Sequence, residues 1–205
     1  MGLISNGTTI FDAGALDSGV AKGAMTLIKK LTASSSSTLS FVNGSSNVVL
    51  DSTYKEYVFL FHNIHPGTDN KQLTVGFRDG GSDYDAPKTT SLFIAYHEES
   101  GSSAGIFYSD TYDLAQSTAF QPITGLISAN ETDANGCGYL HLFNPSSTTF
   151  VKHFIAKSSC QTASDEASQD WAAGYINTTT AIDAVQFKMS SGNIDAGTIS
   201  LYGIS

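Results

Sequence analysis

From Met25 onward the chain is a succession of short runs rich in Val, Ile, Phe, Tyr and Thr, each broken by a cluster of Gly, Asn, Asp or Ser. β-Branched and aromatic side chains fit the pleated, half-buried surface of a strand, and the small polar residues between the runs suit tight turns. The pattern predicts strands at Met25–Leu31, Thr38–Val42, Tyr54–Ile64, Gln72–Arg78, Ser91–His97, Gly105–Tyr108, Gly138–Asn144, Thr149–Lys157, Ala172–Asn177, Ile182–Met189 and Thr198–Gly203. Hardly one stretch carries a helical pattern. Parallel sheets need crossover connections, usually helices, so the expected fold is all-β: an antiparallel β-sandwich, jelly-roll-like in kind.

The run "YKEYVFLFHNIH" (Tyr54–His65) sharpens this expectation. Tyr57, Phe59 and Phe61 fall on one face of a strand and Val58, Leu60 and His62 on the other, so both faces are apolar or nearly so. Such a strand is expected to be covered on both sides. The sandwich core supplies one cover; a flap of the same chain or another subunit supplies the other.

At 205 residues the chain fits one domain, and 40% hydrophobic content is enough to bury a sizeable core. Residues 1–22 differ from the rest: they are Gly-rich, without sustained periodicity, and carry isolated apolar residues such as Leu3, Ile4, Ile10, Phe11, Leu16 and Val20. They read as an extended N-terminal arm, laid across a neighbouring subunit or packed back on its own domain, ahead of a sandwich spanning residues 23–205. "QTASDEASQD" (Gln161–Asp170), the longest polar stretch, reads as an exposed loop or one frayed helical turn.

Charge narrows the partners. Ten Lys and Arg stand against 19 Asp and Glu, for a net charge of −9, and Arg78 is the one arginine. A phosphate grip needs clustered positive charge, so nucleic acid is not an expected partner. No apolar run approaches a membrane span and the first residues lack a secretory pattern, so a membrane is not expected either, and synthesis in the cytosol is. Cys137 and Cys160 match neither a CxxC pair nor a zinc pattern; two buried or idle thiols are the plain reading, with a disulfide as the alternative.

Four constellations could carry chemistry. "RDGGSDYD" (Arg78–Asp85) sets Asp79, Asp83 and Asp85 around two glycines; with Asp69 they could offer oxygens to calcium, but the spacing lacks the EF-hand order, and a tight turn is the economical reading. "GSSAG" (Gly101–Gly105) matches a nucleophile elbow, with Ser103, Asp133 and His153 in hydrolase order. An elbow needs a strand before and a helix after, and here a strand follows, so a small-residue hairpin is the better reading and no catalytic residue is expected. Among His62, His65, His97, His141 and His153, the first two point to opposite faces of a strand unless it bulges near Pro66, so no metal or cofactor is expected. In "DWAAGYIN", Trp171 stands beside Asp170, Tyr175 and Asn177; it reads as a core aromatic or as the platform of a sugar site.

"MGLISNGTTIFDAGAL", "TLIKKLTASSSSTLSFVNGSSNVVLDSTYKEYVFLFHNIHP", "FRDGGSDYD" and "SSGNIDAGTISLYGIS" together resemble virion structural proteins of tailed bacteriophages, marine ones especially. The likeness spans nearly the whole chain and lies in texture and order more than in one diagnostic motif. It implies a jelly-roll-like subunit of a particle, assembled in the host cytoplasm, with no catalytic residues to carry over. The expectation is a capsid decoration or cement protein, a homo-oligomer and by analogy a trimer, docking through its arm and one sandwich face on the major capsid protein or other virion proteins. A tail-associated adhesin that recognises host glycans is the alternative.

Overall fold

The structure, a computed structural model, describes residues 3–6, 8–12, 15–16 and 24–205. Its strands are β1 (Leu3–Ser5), β2 (Thr8–Asp12), β3 (Ala15–Leu16), β4 (Met25–Thr32), β5 (Leu39–Val42), β6 (Glu56–Pro66), β7 (Leu73–Arg78), β8 (Lys88–Glu98), β9 (Ala104–Tyr108), β10 (Gln121–Pro122), β11 (Gly136–Phe143), β12 (Lys152–Gln161), β13 (Glu166–Ile176), β14 (Ala184–Met189) and β15 (Ile194–Ile204). The described residues contain no helix.

Each strand expected from Met25 onward has its counterpart. Two antiparallel sheets form the sandwich: four strands in the order β10-β7-β14-β5, and eight in the order β4-β15-β6-β11-β12-β13-β8-β9. From β4 to β8 successive strands alternate between the sheets. Three strands were not foreseen before Met25: β1, β2 and β3 pair antiparallel into a small sheet of their own. The rest of the expected arm, Val20 and Lys22 included, lies outside the described residues.

The core is aromatic. Phe41, Tyr57, Phe59, Phe61, Phe77 and Phe187 are fully buried, and Phe154 is 1% exposed. Across the layers Phe41 of β5 meets Phe59 of β6 edge-on at 5.2 Å, and Phe77 of β7 meets Phe154 of β12 at 5.2 Å. Burying each such ring stabilises the fold by roughly 2–3 kcal/mol, and the edge-on contacts add to that.

The polar stretch Gln161–Asp170 is a correction. It is the tip and second leg of a hairpin: β12 runs through Gln161, Asp165 turns the chain at φ 54°, and β13 begins at Glu166. The polar residues misled because Ser168 and Asp170 sit at inward positions, where a sandwich ordinarily places apolar groups.

The layers are unequal. A four-stranded sheet cannot cover an eight-stranded one, so the β8–β9 wing of the larger sheet overhangs. Among the described residues β4 and β9 are its two edges.

Candidate functional site

The outer face of the eight-stranded sheet carries a cross-strand row of large side chains. The register aligns Tyr108 of β9 with Phe93 of β8, Phe93 with Trp171 of β13, Trp171 with Lys157 of β12, Lys157 with Tyr139 of β11, and Tyr139 with Leu60 of β6. Phe93 and Trp171 stack at 5.7 Å with planes 9° apart, and the Lys157 ammonium lies 4.2 Å from the indole centroid. Aromatic pairs and a cation over a ring hold such a row rigid without any cover. Tyr108 is 56% exposed, Phe93 39% and Ile155, one step along the same face, 44%. Met25 and Leu27 extend the apolar surface on β4, beside Tyr202.

Trp171 is thus on the outer face, half-buried, and outside the core where packing alone would have put it. Asp170 points the other way, and Tyr175 shares the outer face with Trp171, 6.1 Å from the His153 ring. On β6, Tyr57, Phe59 and Phe61 point inward as expected, whereas the other face is covered only in part: Val58 is buried, Leu60 half-buried and His62 exposed.

The sequence-nominated constellations are taken apart by the fold. In "RDGGSDYD" Gly80 and Gly81 adopt φ of 107° and 72°, the geometry of a turn. Arg78 leaves the aspartates of this motif and clamps Asp183 with two bonds, Nε to Oδ1 at 2.7 Å and Nη2 to Oδ2 at 3.1 Å. Asp69 stands apart from them, its Oδ1 accepting the Ala129 N–H at 2.9 Å; that bond holds its carboxyl below the ordinary range. Among the described residues no three His, Cys, Asp or Glu side chains converge as a metal would require.

"GSSAG" forms the β8–β9 hairpin, with Gly101 at φ 72°. Ser103 shares a hydrogen bond with the Tyr96 hydroxyl at 3.1 Å, while His153 is on the outer face of β12 and Asp133 in the loop before β11, so the nominal triad does not assemble. β6 does bulge, at Asn63 (φ 52°), and His65 beyond the bulge donates from Nδ1 to the Ala134 carbonyl at 2.7 Å. His141 is tied to Glu56, and His97 is exposed on β8.

Cys137 and Cys160 are both free thiols. Cys137 pairs in register with Ser159 and Gly136 with Cys160, which sends the two sulfurs to opposite faces of the sheet. Burial pushes the Cys160 thiol far above its ordinary pKa, with the Asp170 charge adding to the effect. A thiol-reactive chromophore should therefore titrate one cysteine in the native protein and two after denaturation; two fast-reacting thiols without denaturant would contradict this placement.

Charged groups that sequence reading missed lie inside the sandwich. Lys88 is fully buried, donating from Nζ to the Ala119 carbonyl at 2.6 Å, and burial lowers its pKa to about 8 against the pull of Asp85. Lys152 is equally buried; its Nζ donates to the Thr178 carbonyl at 3.0 Å and to that of Thr180. Both lysines begin a strand at an inward position and close one end of the sandwich on loop carbonyls.

Midway along β13 is Asp170, 1% exposed. Its Oδ2 accepts from Ser168 Oγ at 3.2 Å and Ser158 Oγ at 3.4 Å, while Oδ1 has no partner. Desolvation outweighs these bonds and lifts the carboxyl to about 6. The signal in the sequence was the parity of "SQDWAAGYI": Ser168 and Asp170 share the phase of Ala172 and Ile176, both buried.

No protein-family model, no curated protein and no solved structure matches the chain. What is established is the architecture, an antiparallel β-sandwich with unequal sheets.

Proposed function

We propose that this chain is a structural subunit of a bacteriophage virion, a capsid decoration protein that docks through its N-terminal segment and the outer face of the eight-stranded sheet. The observation that carries the reading is the row from Tyr108 through Phe93 and Trp171 to Tyr139, with Ile155, Leu27 and Met25 around it: a broad apolar face on the outside of the sandwich. Exposed apolar surface of this breadth marks protein contact sites in soluble proteins. The resemblance to tailed-phage structural proteins names the partner, a capsid surface or sister subunits, and a trimer is the expected assembly.

The adhesin alternative asks Trp171 to serve as a sugar platform. It has less support, because the Lys157 ammonium already lies over the indole ring.

Binding to purified capsids that lack the subunit tests the proposal. The variant Phe93→Lys/Ile155→Lys should lose at least about tenfold in capsid affinity while remaining folded, its thermal unfolding lowered only by the lost Phe93–Trp171 stacking of about 0.5–1.5 kcal/mol. Deleting Met1–Lys22 should abolish capsid binding and leave a folded sandwich. Undiminished binding by the double lysine variant would overturn the role of this face.

A further inference from the structure

A second surface has the chemistry of a ligand site and lies under the overhanging wing. Where the four-stranded sheet stops short, the inner face of β8, β9 and β13 floors a cleft of about 360 Å³, roofed by Tyr112, Gly125 and Leu126. A volume of this size suits a small molecule or one side chain of a partner.

The floor is laid out in register. Phe107 pairs with Ile94, Gly105 with Tyr96, Tyr96 with Ser168, and Glu98 with Glu166. Tyr96 and Phe107 meet edge-on at 6.2 Å and, with Tyr112, make aromatic walls. The polar lining consists of the Glu98 and Glu166 carboxylates, the hydroxyls of Ser103, Thr162, Ser164 and Ser168, and the Asn70 amide; no Lys, Arg or His takes part.

Two features of this lining are unfavourable for the fold alone. Like charges directly opposite on neighbouring strands repel, and Glu98 faces Glu166 in that relation. Hydroxyls soften each carboxylate, Ser100 Oγ donating to Glu98 at 3.1 Å and Thr162 Oγ1 to Glu166 at 3.1 Å, but none carries a countercharge. Below the lining sits Asp170, bonded to the cleft residue Ser168 and leaving Oδ1 unpartnered. Gly125 roofs it so closely that an added Cβ would stand 3.1 Å from Asp170 Oδ2. Local violations of good packing of this kind mark functional sites.

We propose that the cleft binds an organic cation, an aliphatic ammonium group held between the Glu98 and Glu166 carboxylates with its stem against Tyr96, Phe107 and Tyr112. A lysine side chain or the end of a polyamine has this form. Anionic ligands are repelled. A neutral sugar would satisfy hydroxyls and leave the opposed carboxylates uncompensated, whereas an ammonium group neutralises them and gains attraction from the aromatic rings. The inference is independent of the virion assignment.

Titration of the full chain with 1,4-diaminobutane, followed by amide NMR shifts and calorimetry, tests it. Saturable shifts should cluster at Tyr96, Ser103, Glu166 and Ser168. Glu98→Gln/Glu166→Gln should weaken binding at least about tenfold with thermal unfolding intact, and Phe107→Ala should weaken it several-fold. Absence of saturable shifts, equal affinity in the double glutamine variant, or stronger binding of N-acetylglucosamine or calcium than of the diamine would each overturn the proposal.

Discussion

Replacing Asp170 with asparagine should stabilise the protein at pH 7 by about 2 kcal/mol, and the gain should vanish in acid. An ordinary aspartate titrates at 3.8, and burial lifts this one to about 6 in the folded chain. Between those values the folded state holds a proton that the unfolded state has released, so stability falls as pH rises through this window and stays lowered above it. The gap is about two units, and at ~1.4 kcal/mol per unit the ionised carboxylate costs on the order of 3 kcal/mol at neutral pH. Asparagine keeps an acceptor for Ser158 and Ser168 and removes the charge. Urea unfolding of both proteins at pH 7 and below pH 4 measures the effect as a difference, which cancels every other titrating group. Equal midpoints at pH 7 would mean that the carboxylate is not desolvated as described. A residue that weakens the fold at working pH and sits beneath the cleft fits the familiar exchange of stability for function.

Gly138→Ala should destabilise by about 3 kcal/mol, the upper range for overpacking. A Cβ on this residue would run into the backbone carbonyl of Lys157 and lie 2.7 Å from the Phe61 ring. A side chain could swing away; a carbonyl fixed in the β11–β12 ladder cannot. Phe61 is itself fully buried, so its ring has no empty space to retreat into. Chemical denaturation of the alanine variant checks this, and a loss below about 0.5 kcal/mol would show that the strands separate there at little cost.

How much could be read from the chain follows from what is local. The period-two pattern in "YKEYVFLFHNIH" specifies which side chains face inward, because the alternation belongs to the strand itself. Strand ends were harder. β8 begins at Lys88 and β12 at Lys152, and a lysine at an inward position contradicts the pattern unless its ammonium reaches loop carbonyls, which only the fold provides. The same holds for β13, whose first inward residues are Glu166, Ser168 and Asp170. Neither surface was legible, since both depend on which strand lies beside which. Trp171 stands next to Phe93, and Glu166 next to Glu98, only through the β13–β8 register, and nothing near either residue announces that pairing.

The two margins of the large sheet are chemically unlike. β4 presents Lys29 and Lys30, whereas Ala104–Tyr108 of β9 carries no charged residue and every one of its side chains is exposed. Charged margins discourage main-chain pairing and bare ones invite it. Growth of this sheet by an added strand is therefore polar: a newcomer meets hydrogen-bonding groups without electrostatic opposition at β9, and a cationic fence at β4.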